Sequence, residues 1–529
     1  MRSTSRTRCL ALLAIIVGGL TQAADAQTLT RGGAIVDPLA LRELDLREHR
    51  TGDMTAAGFG VRRIFAPETA SDAPMMNDEL FSLPSMNAVR AAIDREFERY
   101  VARHKAAAPE STVGVGEGHD LQLFDRDLLY SGRARFVLAG IVNRMDRAFV
   151  SPASCGEIRL IYRLTRVDTT DANAPRLPAT LNVVIKARGD EPTSGSREIA
   201  CSEIARRWLE AADDKFAGAP LAARLTSASG PLALVRPANV DRIEFNLQIG
   251  HVAKSAAHDF RTDYLLKVFR RDSVDARFVE APLENQIDRD RVLADPQLRD
   301  EFKQWLLAPV QMRALDRGTI LIPEKFLATA AIAPTPVGFV RSQLQPEFGL
   351  LQSDDAARDG VFRDRDVVAA LKQAAASGMA FENIRSVAGF ERRLNDITCA
   401  GCHQTRGIGG FHFPGVNWMA AVPSNASTVP ASPHFIGDQV RRRDILTAIR
   451  DGITPDYSRG FSSRPQLRGD KDLLGTEYVD GWGAHCYDTR AAGANDKSFR
   501  SWTCAKGLAC QVIGEANTER MGMCFVSKP

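Results

Sequence analysis

The stretch EIRLIYRL at residues 157–164 alternates polar and apolar side chains along most of its length, which is the pattern of a β-strand with one buried face. Two neighbouring stretches, RFVLAGIVN at 135–143 and LNVVIK at 181–186, are rich in β-branched residues, and a proline-containing turn region at 173–178 precedes the second. Together these stretches predict an antiparallel sheet. Further strands are predicted at 243–249, 264–270 and 319–323.

Other stretches have the periodicity of a helix. In residues 86–107, apolar side chains recur every four positions from Val89 to Val101, so they line one helix face. Asp295 and Pro296 are a typical N-cap and first helical residue, and they predict a helix that begins there. That helix is predicted to span 296–307, and three more helices are predicted over 197–212, 366–376 and 443–452.

The N-terminus has the three parts of a signal peptide. The basic stretch MRSTSRTR at 1–8 precedes the apolar stretch CLALLAIIVGGL at 9–20, which is shorter than the roughly 20 residues that span a bilayer. Ala24 and Ala26 supply the small residues of a cleavage site, so residues 1–26 are expected to be removed on export. We therefore expect a periplasmic or secreted protein, with no membrane span in the mature chain.

Composition excludes several classes of function. Of 529 residues, 44% are hydrophobic and 25% are charged, and the 68 basic and 65 acidic residues leave a net charge of +3. This balance is typical of a globular protein and argues against a nucleic-acid partner. The basic run Arg441-Arg442-Arg443 is short enough to be a solvated helix face. Because no nucleophile-elbow, phosphate-loop or zinc-protease motif is present, no catalytic residue is assigned, and whether the protein is an enzyme stays open.

Nine cysteines are present, and Cys9 belongs to the signal peptide. An even number of eight then remains, which favours disulfides in an oxidising compartment. Proximity in the sequence suggests a bond between Cys155 and Cys201, which would pin a predicted helix to the sheet. A zinc site that includes His485 is a second interpretation of the C-terminal cluster. The C-terminal cysteines expected to pair among themselves are Cys486, Cys504, Cys510 and Cys524.

The segment CAGCH at residues 399–403 has the C-x-x-C-H spacing of covalent haem attachment. The spacing lets two thiols reach the two vinyl groups of a haem, and the following imidazole then lies under the iron. At this segment the chain resembles the c-type cytochromes. The resemblance implies one covalent haem c, with Cys399 and Cys402 as anchors and His403 as the proximal iron ligand. It also implies electron transfer outside the cytoplasm to an unidentified redox partner.

Three other interpretations of this segment remain open. Cys399 and Cys402 could form a simple disulfide, with His403 playing no role. They could instead form a redox-active dithiol of the thioredoxin type, which requires a strand followed by a cysteine at a helix N-terminus. They could also form half of a zinc site, although the sequence offers no second cysteine or histidine pair nearby.

The sixth iron ligand has two candidates, His412 and Met419. His412 is flanked by two phenylalanines, and Met419 follows a tryptophan. Both residues are closer to His403 than the distal methionine of a small cytochrome c, so the segment departs from the standard pattern of that family. An open iron position would instead permit peroxidase-like chemistry.

We therefore predict an α+β multidomain protein with an antiparallel-sheet central domain, a small and mainly helical cytochrome c-like segment and a disulfide-stapled C-terminal module. The first interpretation of its function is electron transfer through one haem. The alternatives are a haem enzyme and a haem-free extracytoplasmic binding protein. The expected divisions are a signal peptide (1–26), an N-terminal segment with one helix (27–117), an α+β domain (118–350), the haem domain (351–475) and the cysteine-rich module (476–529).

Overall fold

A computed structural model describes most of the chain. The predicted signal peptide and the candidate ligands His412 and Met419 lie outside the described residues. Those residues are 33–51, 58–69, 71, 73–167, 176–187, 199–252, 261–335, 351–352, 360–404, 433–461, 480–481, 484–488, 496–512 and 521–526.

A ten-stranded sheet lies at the centre of the described structure. Its strands are β1 (Ala34–Ile35), β2 (Val113–Val115), β3 (Leu121–Leu123), β4 (Ala134–Arg144), β5 (Glu157–Arg166), β6 (Arg176–Lys186), β7 (Val240–Val252), β8 (Arg261–Arg271), β9 (Phe278–Ala281) and β10 (Ala330–Thr335). Strands β4 to β7 lie side by side in chain order, β1 pairs with β4, and β7 also pairs with β3 and β8. Strand β8 carries β9 and β10, and every pair is antiparallel except β2 with β3. The α+β class and the antiparallel sheet are therefore confirmed.

Helices pack around this sheet. They are α1 (Pro38–Thr51), α2 (Val61–Phe65), α3 (Asn77–Leu80), α4 (Asn87–Ala107), α5 (Arg126–Leu129), α6 (Cys201–Ala212), α7 (Gly218–Thr226), α8 (Arg289–Ala294), α9 (Pro296–Leu307), α10 (Pro309–Arg317), α11 (Asp364–Ala376), α12 (Val387–Asp396), α13 (Cys399–Gln404) and α14 (Pro433–Arg450). Among the described residues, no helix combines the length and the apolar character needed to cross a membrane.

The main hydrophobic core lies on one face of the sheet. Every second residue of β5 from Ile158 to Leu164 is buried there, as the alternating sequence predicts. Helix α4 covers part of this face with Val89, Ile93 and Phe97, so the predicted four-residue spacing is confirmed. The charged side chains that alternate with these core residues point to the opposite face of the sheet.

A second core joins the chain on either side of residue 350. Two short strands, β11 (Leu351–Gln352) and β12 (Phe362–Arg363), pair in parallel. Phe362 packs on Phe302 of α9, with 5.8 Å between the ring centroids. It also packs on Phe390 of α12 at 5.5 Å. Helix α9 begins as predicted, because the Asp295 carboxylate accepts from the first backbone N–H groups of the helix. This core fixes α12, the helix that directly precedes the C-x-x-C-H segment.

Three disulfides are present among the described residues. Cys155 bonds to Cys201, the first residue of α6, and so ties that helix to the loop before β5, as predicted. The C-terminal module is a three-stranded sheet in the order β13 (His485–Tyr487), β15 (Met521–Val526), β14 (Leu508–Val512). Its bonds are Cys486–Cys510 and Cys504–Cys524, which confirms a stapled module.

The strand predicted at 319–323 is wrong. Ile320 and Ile322 are buried, but their backbone groups bond to one side chain rather than to a neighbouring strand. Asn285 Nδ2 donates to the Ile320 carbonyl at 3.0 Å, and the Ile322 N–H donates to Asn285 Oδ1 at 2.8 Å. Pro323 has no N–H and ends any further pairing.

Helix α12 occupies a stretch for which the sequence predicts no helix. The Ser386 hydroxyl accepts from the Gly389 N–H at 2.9 Å and caps its N-terminus. Arg392, Arg393 and Asn395 of this helix are buried although they are polar. The helix therefore buries polar side chains as well as the apolar Phe390 and Leu394.

Helix α14 begins at Pro433, ten residues before the predicted start at 443. The interpretation of Arg441 and Arg442 as part of a solvated face is wrong, because both are buried. Their guanidinium groups donate to Asp438 at 2.7 Å, and Arg441 also reaches Asp146 at 2.8 Å. Only the third arginine of this run is exposed. These ion pairs attach α14 to the loop that follows β4.

Candidate functional site

The cysteines of the C-x-x-C-H segment lie on the short helix α13. Thr398 begins this turn, since its hydroxyl accepts from the Gly401 N–H at 2.9 Å and its carbonyl accepts from the Cys402 N–H at 2.9 Å. Residues three positions apart share one side of a helix, so Cys399 and Cys402 are neighbours there. His403 belongs to the same helix, and its side chain is outside the described structure.

Gly401 allows α13 to pack closely against the end of α12. A Cβ at this position would lie 1.9 Å from the carbonyl oxygen of Asn395 and 2.9 Å from Oγ1 of Thr398. No side chain fits there unless the backbone moves. Glycine at the second variable position of the motif is therefore required by the way the two helices meet.

Helix α13 rests on the face of the sheet opposite the main core. Ala400 lies in a small apolar cluster with Leu266 and Val268 of β8 and Ala333 of β10, and Cys399 packs against the same cluster. The Ala400 N–H also donates to Oε1 of Gln286 at 2.9 Å. The sheet thus fixes the position of the first thiol.

Cys399 and Cys402 are not disulfide-bonded, in contrast to the six other described cysteines. The thiol of Cys399 donates to the Glu284 carbonyl at 3.5 Å. Burial raises the pKa of Cys399, and the nearby carboxylates of Glu244 and Glu284 raise it further. Cys399 is therefore a neutral thiol at pH 7.

This environment differs from that of a thioredoxin-type dithiol. A reactive thiolate needs a lowered pKa, and the first thiol here has a raised one. The helix α12 precedes α13, whereas the thioredoxin arrangement has a strand at that place. The simple disulfide also finds no support among the described contacts, because the two sulfurs remain thiols.

Both thiols line a cavity of about 580 Å³. This volume lies within the range of about 300–1,000 Å³ typical of sites for small molecules and cofactors. The second face of strands β5 to β8 forms its floor, and the segment from Leu321 to Leu327 forms part of its wall. Among the described lining residues, eight cationic side chains face five carboxylates. They are Arg144, Arg147, Arg159, Lys186, Arg242, Lys267, Arg270 and Arg459, against Glu157, Asp241, Glu244, Glu284 and Glu324.

A buried ion-pair network forms the floor of this cavity. Glu157 accepts from Nη2 of Arg159 at 2.9 Å and from Nη2 of Arg242 at 2.9 Å, and Nε of Arg147 lies 3.3 Å from the same carboxylate. Glu244 accepts from Nη1 of Arg159 at 3.1 Å and from Nε of Arg242 at 3.0 Å. The shared partners make the network continuous across strands β5, β6 and β7.

The network changes the pKa values of its members. Burial would raise the pKa of Glu157, but Arg242, Arg147 and Arg159 outweigh burial and hold the pKa of this carboxyl well below its usual range. Burial lowers the pKa of Arg144, and Asp146 offsets this only in part. The Glu157 carboxylate is therefore charged at neutral pH, although it is buried.

The floor includes a buried amide oxygen that accepts no hydrogen bond within the described structure, that of Asn182. Asn182 of β6 is buried, and its Nδ2 donates to Oε2 of Glu244 at 2.7 Å. Its Oδ1 atom is buried and accepts no hydrogen bond among the described residues. A buried acceptor of this kind in a cavity wall is suited to a ligand or to water.

The ion-pair network on the cavity floor is not predicted from the sequence, although the sequence contains a signal for it. Glu157 and Arg159 occupy alternate positions of β5, and Arg242 and Glu244 do so in β7. Such alternation predicts a strand, but it does not show whether the charged face is solvated or covered. Opposite charges that alternate on the same face of β5 and β7, the two strands that flank β6, are the feature that could have indicated a buried network.

The zinc interpretation of the C-terminal cysteines is not supported. The sulfurs of Cys486, Cys504 and Cys524 lie within 4.8 Å of one another, but all three are in disulfides and cannot act as thiolate ligands. His485 is buried, and its Nδ1 lies 2.6 Å from Nη2 of Arg392 in α12. This contact joins the C-terminal module to the helix that precedes the thiols.

No protein-family model, curated protein sequence or solved structure matches this chain significantly. The functional argument therefore depends on the residues of the site.

Proposed function

We propose that this protein is an exported c-type haem protein that transfers electrons through a single covalently bound haem. Cys399 and Cys402 are the attachment residues, and His403 is the proximal iron ligand. One observation carries the proposal: the two cysteines of the C-x-x-C-H segment remain thiols, lie on one helical turn and open onto a cavity of cofactor size.

The charge of the cavity supports the same proposal. Its described lining has three more cationic groups than carboxylates. A haem carries two propionates, and arginine is well suited to pair with carboxylates in a partly buried site. The lining groups of this chain thus offset the negative charge of such a cofactor, which when bound supplies a one-electron iron couple.

The disulfides support export. Three of them are present, and disulfides persist mainly in oxidising compartments. Attachment of c-type haem also takes place outside the cytoplasm. The proposed route is cleavage after Ala26 followed by release into the periplasm or beyond it.

The test is a pyridine haemochrome spectrum together with an intact mass, measured on protein exported by a host that matures c-type cytochromes. We expect a c-type spectrum, the mass of one haem and loss of residues 1–26. The variant Cys399→Ser/Cys402→Ser should lose the haem. Cys504→Ser/Cys524→Ser, which also removes two cysteines, should keep it. Both readouts use denatured protein, so a loss of folding stability does not affect them.

If the wild-type protein contains no covalent haem, the proposal is wrong and a haem-free binding protein takes its place. If haem is present, the spin state separates electron transfer from the peroxidase-like alternative. A low-spin spectrum that is lost in Met419→Ala or in His412→Ala supports electron transfer. A high-spin ferric iron that binds cyanide readily supports an enzyme with an open iron position.

A further inference from the structure

The C-terminal module depends on its disulfides for part of its own interior. One apolar cluster of the module contains all four of its cysteines, together with one alanine and one leucine. Each of the two disulfides joins a buried cysteine to a partly exposed one, because Cys486 and Cys524 are buried whereas Cys510 and Cys504 are not. A thiol reagent can therefore approach both bonds from the surface. Because three short strands bury little apolar surface, the module needs these bonds to stay ordered.

The same module holds the middle of α12. Nη2 of Arg392 donates to Nδ1 of His485 at 2.6 Å, and since a guanidinium group only donates, this imidazole nitrogen is an acceptor. The Arg392 guanidinium also lies 5.5 Å from the ring centroid of Trp502. His485 directly precedes Cys486, and Trp502 lies two residues before Cys504. These two contacts of Arg392 are therefore made next to cysteines whose bonds stabilise the module.

The module also holds the first turn of α12. The hydroxyl of Ser386, the N-cap of this helix, donates to Asp496 at 2.7 Å. The Arg385 N–H donates to Oγ of Ser498 at 3.0 Å, and a Cβ at Gly389 would lie 2.2 Å from the same Oγ atom. The module thus packs against α12 too closely for any side chain at the Gly389 position.

Helix α12 transmits this restraint to the thiols. Phe390 and Leu394 of α12 belong to the second hydrophobic core, so the helix is held by that core as well as by the module. Its last turn packs on α13, where the Asn395 carbonyl lies directly against Gly401. The position of α13 therefore depends on the contacts that the module makes with α12.

We propose that the C-terminal module is a redox-sensitive clamp on α12 and, through it, on the helix α13 that carries Cys399 and Cys402. Reduction of each module disulfide takes two electrons and two protons from a dithiol, which becomes a disulfide, and leaves two cysteine thiols. The module then loses its order and releases α12. The clamp acts on the protein chain itself, so it does not depend on the haem proposed above.

The experiment follows amide hydrogen exchange by mass spectrometry in Cys504→Ser/Cys524→Ser, with Cys155→Ser/Cys201→Ser as the matched control. Each variant removes one disulfide, but the second bond lies outside the module. In the first variant, residues 387–404 should exchange roughly 30-fold faster, the factor that corresponds to the lower end of disulfide stabilisation, while strands β4 to β7 exchange as in the wild type. In the control, residues 387–404 should be accelerated no more than β4 to β7. Equal acceleration of residues 387–404 relative to the sheet in both variants would overturn the proposal.

Two further measurements separate the clamp from a general loss of stability. Dithiothreitol added to the Cys155→Ser/Cys201→Ser protein leaves the module disulfides as its targets among the described bonds, and it should produce the same fast exchange, which reoxidation should reverse. Arg392→Met keeps both bonds and removes the contact to His485, so residues 387–404 should again exchange faster. If neither treatment changes the exchange of this segment, the proposal is wrong. Protein that contains no haem but shows the expected exchange would refute only the function proposed above.

Discussion

Replacing Glu157 by glutamine tests whether the buried network holds the sheet together. The carboxylate is shared by Arg147, Arg159 and Arg242, and its side chain is only 9% exposed. Removing one partner of a buried ion pair costs about 3–5 kcal/mol, because the remaining charge is left buried and uncompensated. Glu244 stays beside two of these arginines, so we expect the lower end, about 3 kcal/mol of unfolding free energy.

The measurement is equilibrium urea unfolding at pH 7, with Glu203→Gln as the matched control. Glu203 also pairs with two arginines, Arg206 and Arg207, but its side chain is 32% exposed at the surface of α6. Exposed pairs contribute about 0–1 kcal/mol, so this variant should unfold almost like the wild type. Equal losses in the two variants would refute the argument, since burial would then have no effect.

The pH dependence gives an independent check. The pKa of Glu157 is lower in the folded protein than in the unfolded chain. Its contribution to stability is therefore present above the ordinary glutamate pKa and is lost as the pH falls toward the folded value. The difference between the wild type and Glu157→Gln should narrow below about pH 4.5. A difference that widens on acidification would contradict this mechanism.

Three further predictions concern the fold. The variant Cys155→Ser/Cys201→Ser removes a disulfide that spans 46 residues. Its unfolding free energy, measured by thermal unfolding, should fall by about 4 kcal/mol. A loss below about 1 kcal/mol would contradict the expected role of this bond. Asn285→Ala removes both hydrogen bonds to the 320–322 segment and places alanine at a φ of 56°, so it should cost about 3 kcal/mol in urea unfolding. Asn285→Gly should be less destabilising, because glycine accepts that φ, and the opposite order would disprove the explanation. Asp295→Ala should cost about 1 kcal/mol through loss of the α9 cap, whereas Asp300→Ala in the same helix should have no measurable effect in the same assay.

The strands were predictable wherever one face met the hydrophobic core. Strand β5 and its neighbours follow a two-residue period, and α4 follows a four-residue spacing, because burial on one side selects those positions directly. The segment at 319–323 has the composition of a strand. Its backbone groups nevertheless bond to Asn285, which lies 35 residues earlier in the chain, and no local pattern reveals such a partner.

The candidate site was predictable only at its C-x-x-C-H segment. The spacing of Cys399, Cys402 and His403 is a local signal, and it identifies the segment without any knowledge of the fold. The cavity floor depends on which strands are neighbours and on what covers their second face. Charged residues such as Arg159 and Arg441 are usually solvated, so their burial follows from long-range packing that composition does not encode.

The contact between Gly401 and the Asn395 carbonyl has an evolutionary consequence. Haem attachment by itself leaves both residues between the two cysteines free to vary. In this chain the second of them is restricted to glycine by the neighbouring helix, and the first, Ala400, is restricted to a small residue by the apolar cluster on β8 and β10. Homologues that keep this helix packing should therefore conserve a longer signature, in which Asn395 and Thr398 precede a C-[small]-G-C-H segment. Homologues that carry a bulky residue at the glycine position should have a different approach of α12 to α13, even where the C-x-x-C-H spacing is retained.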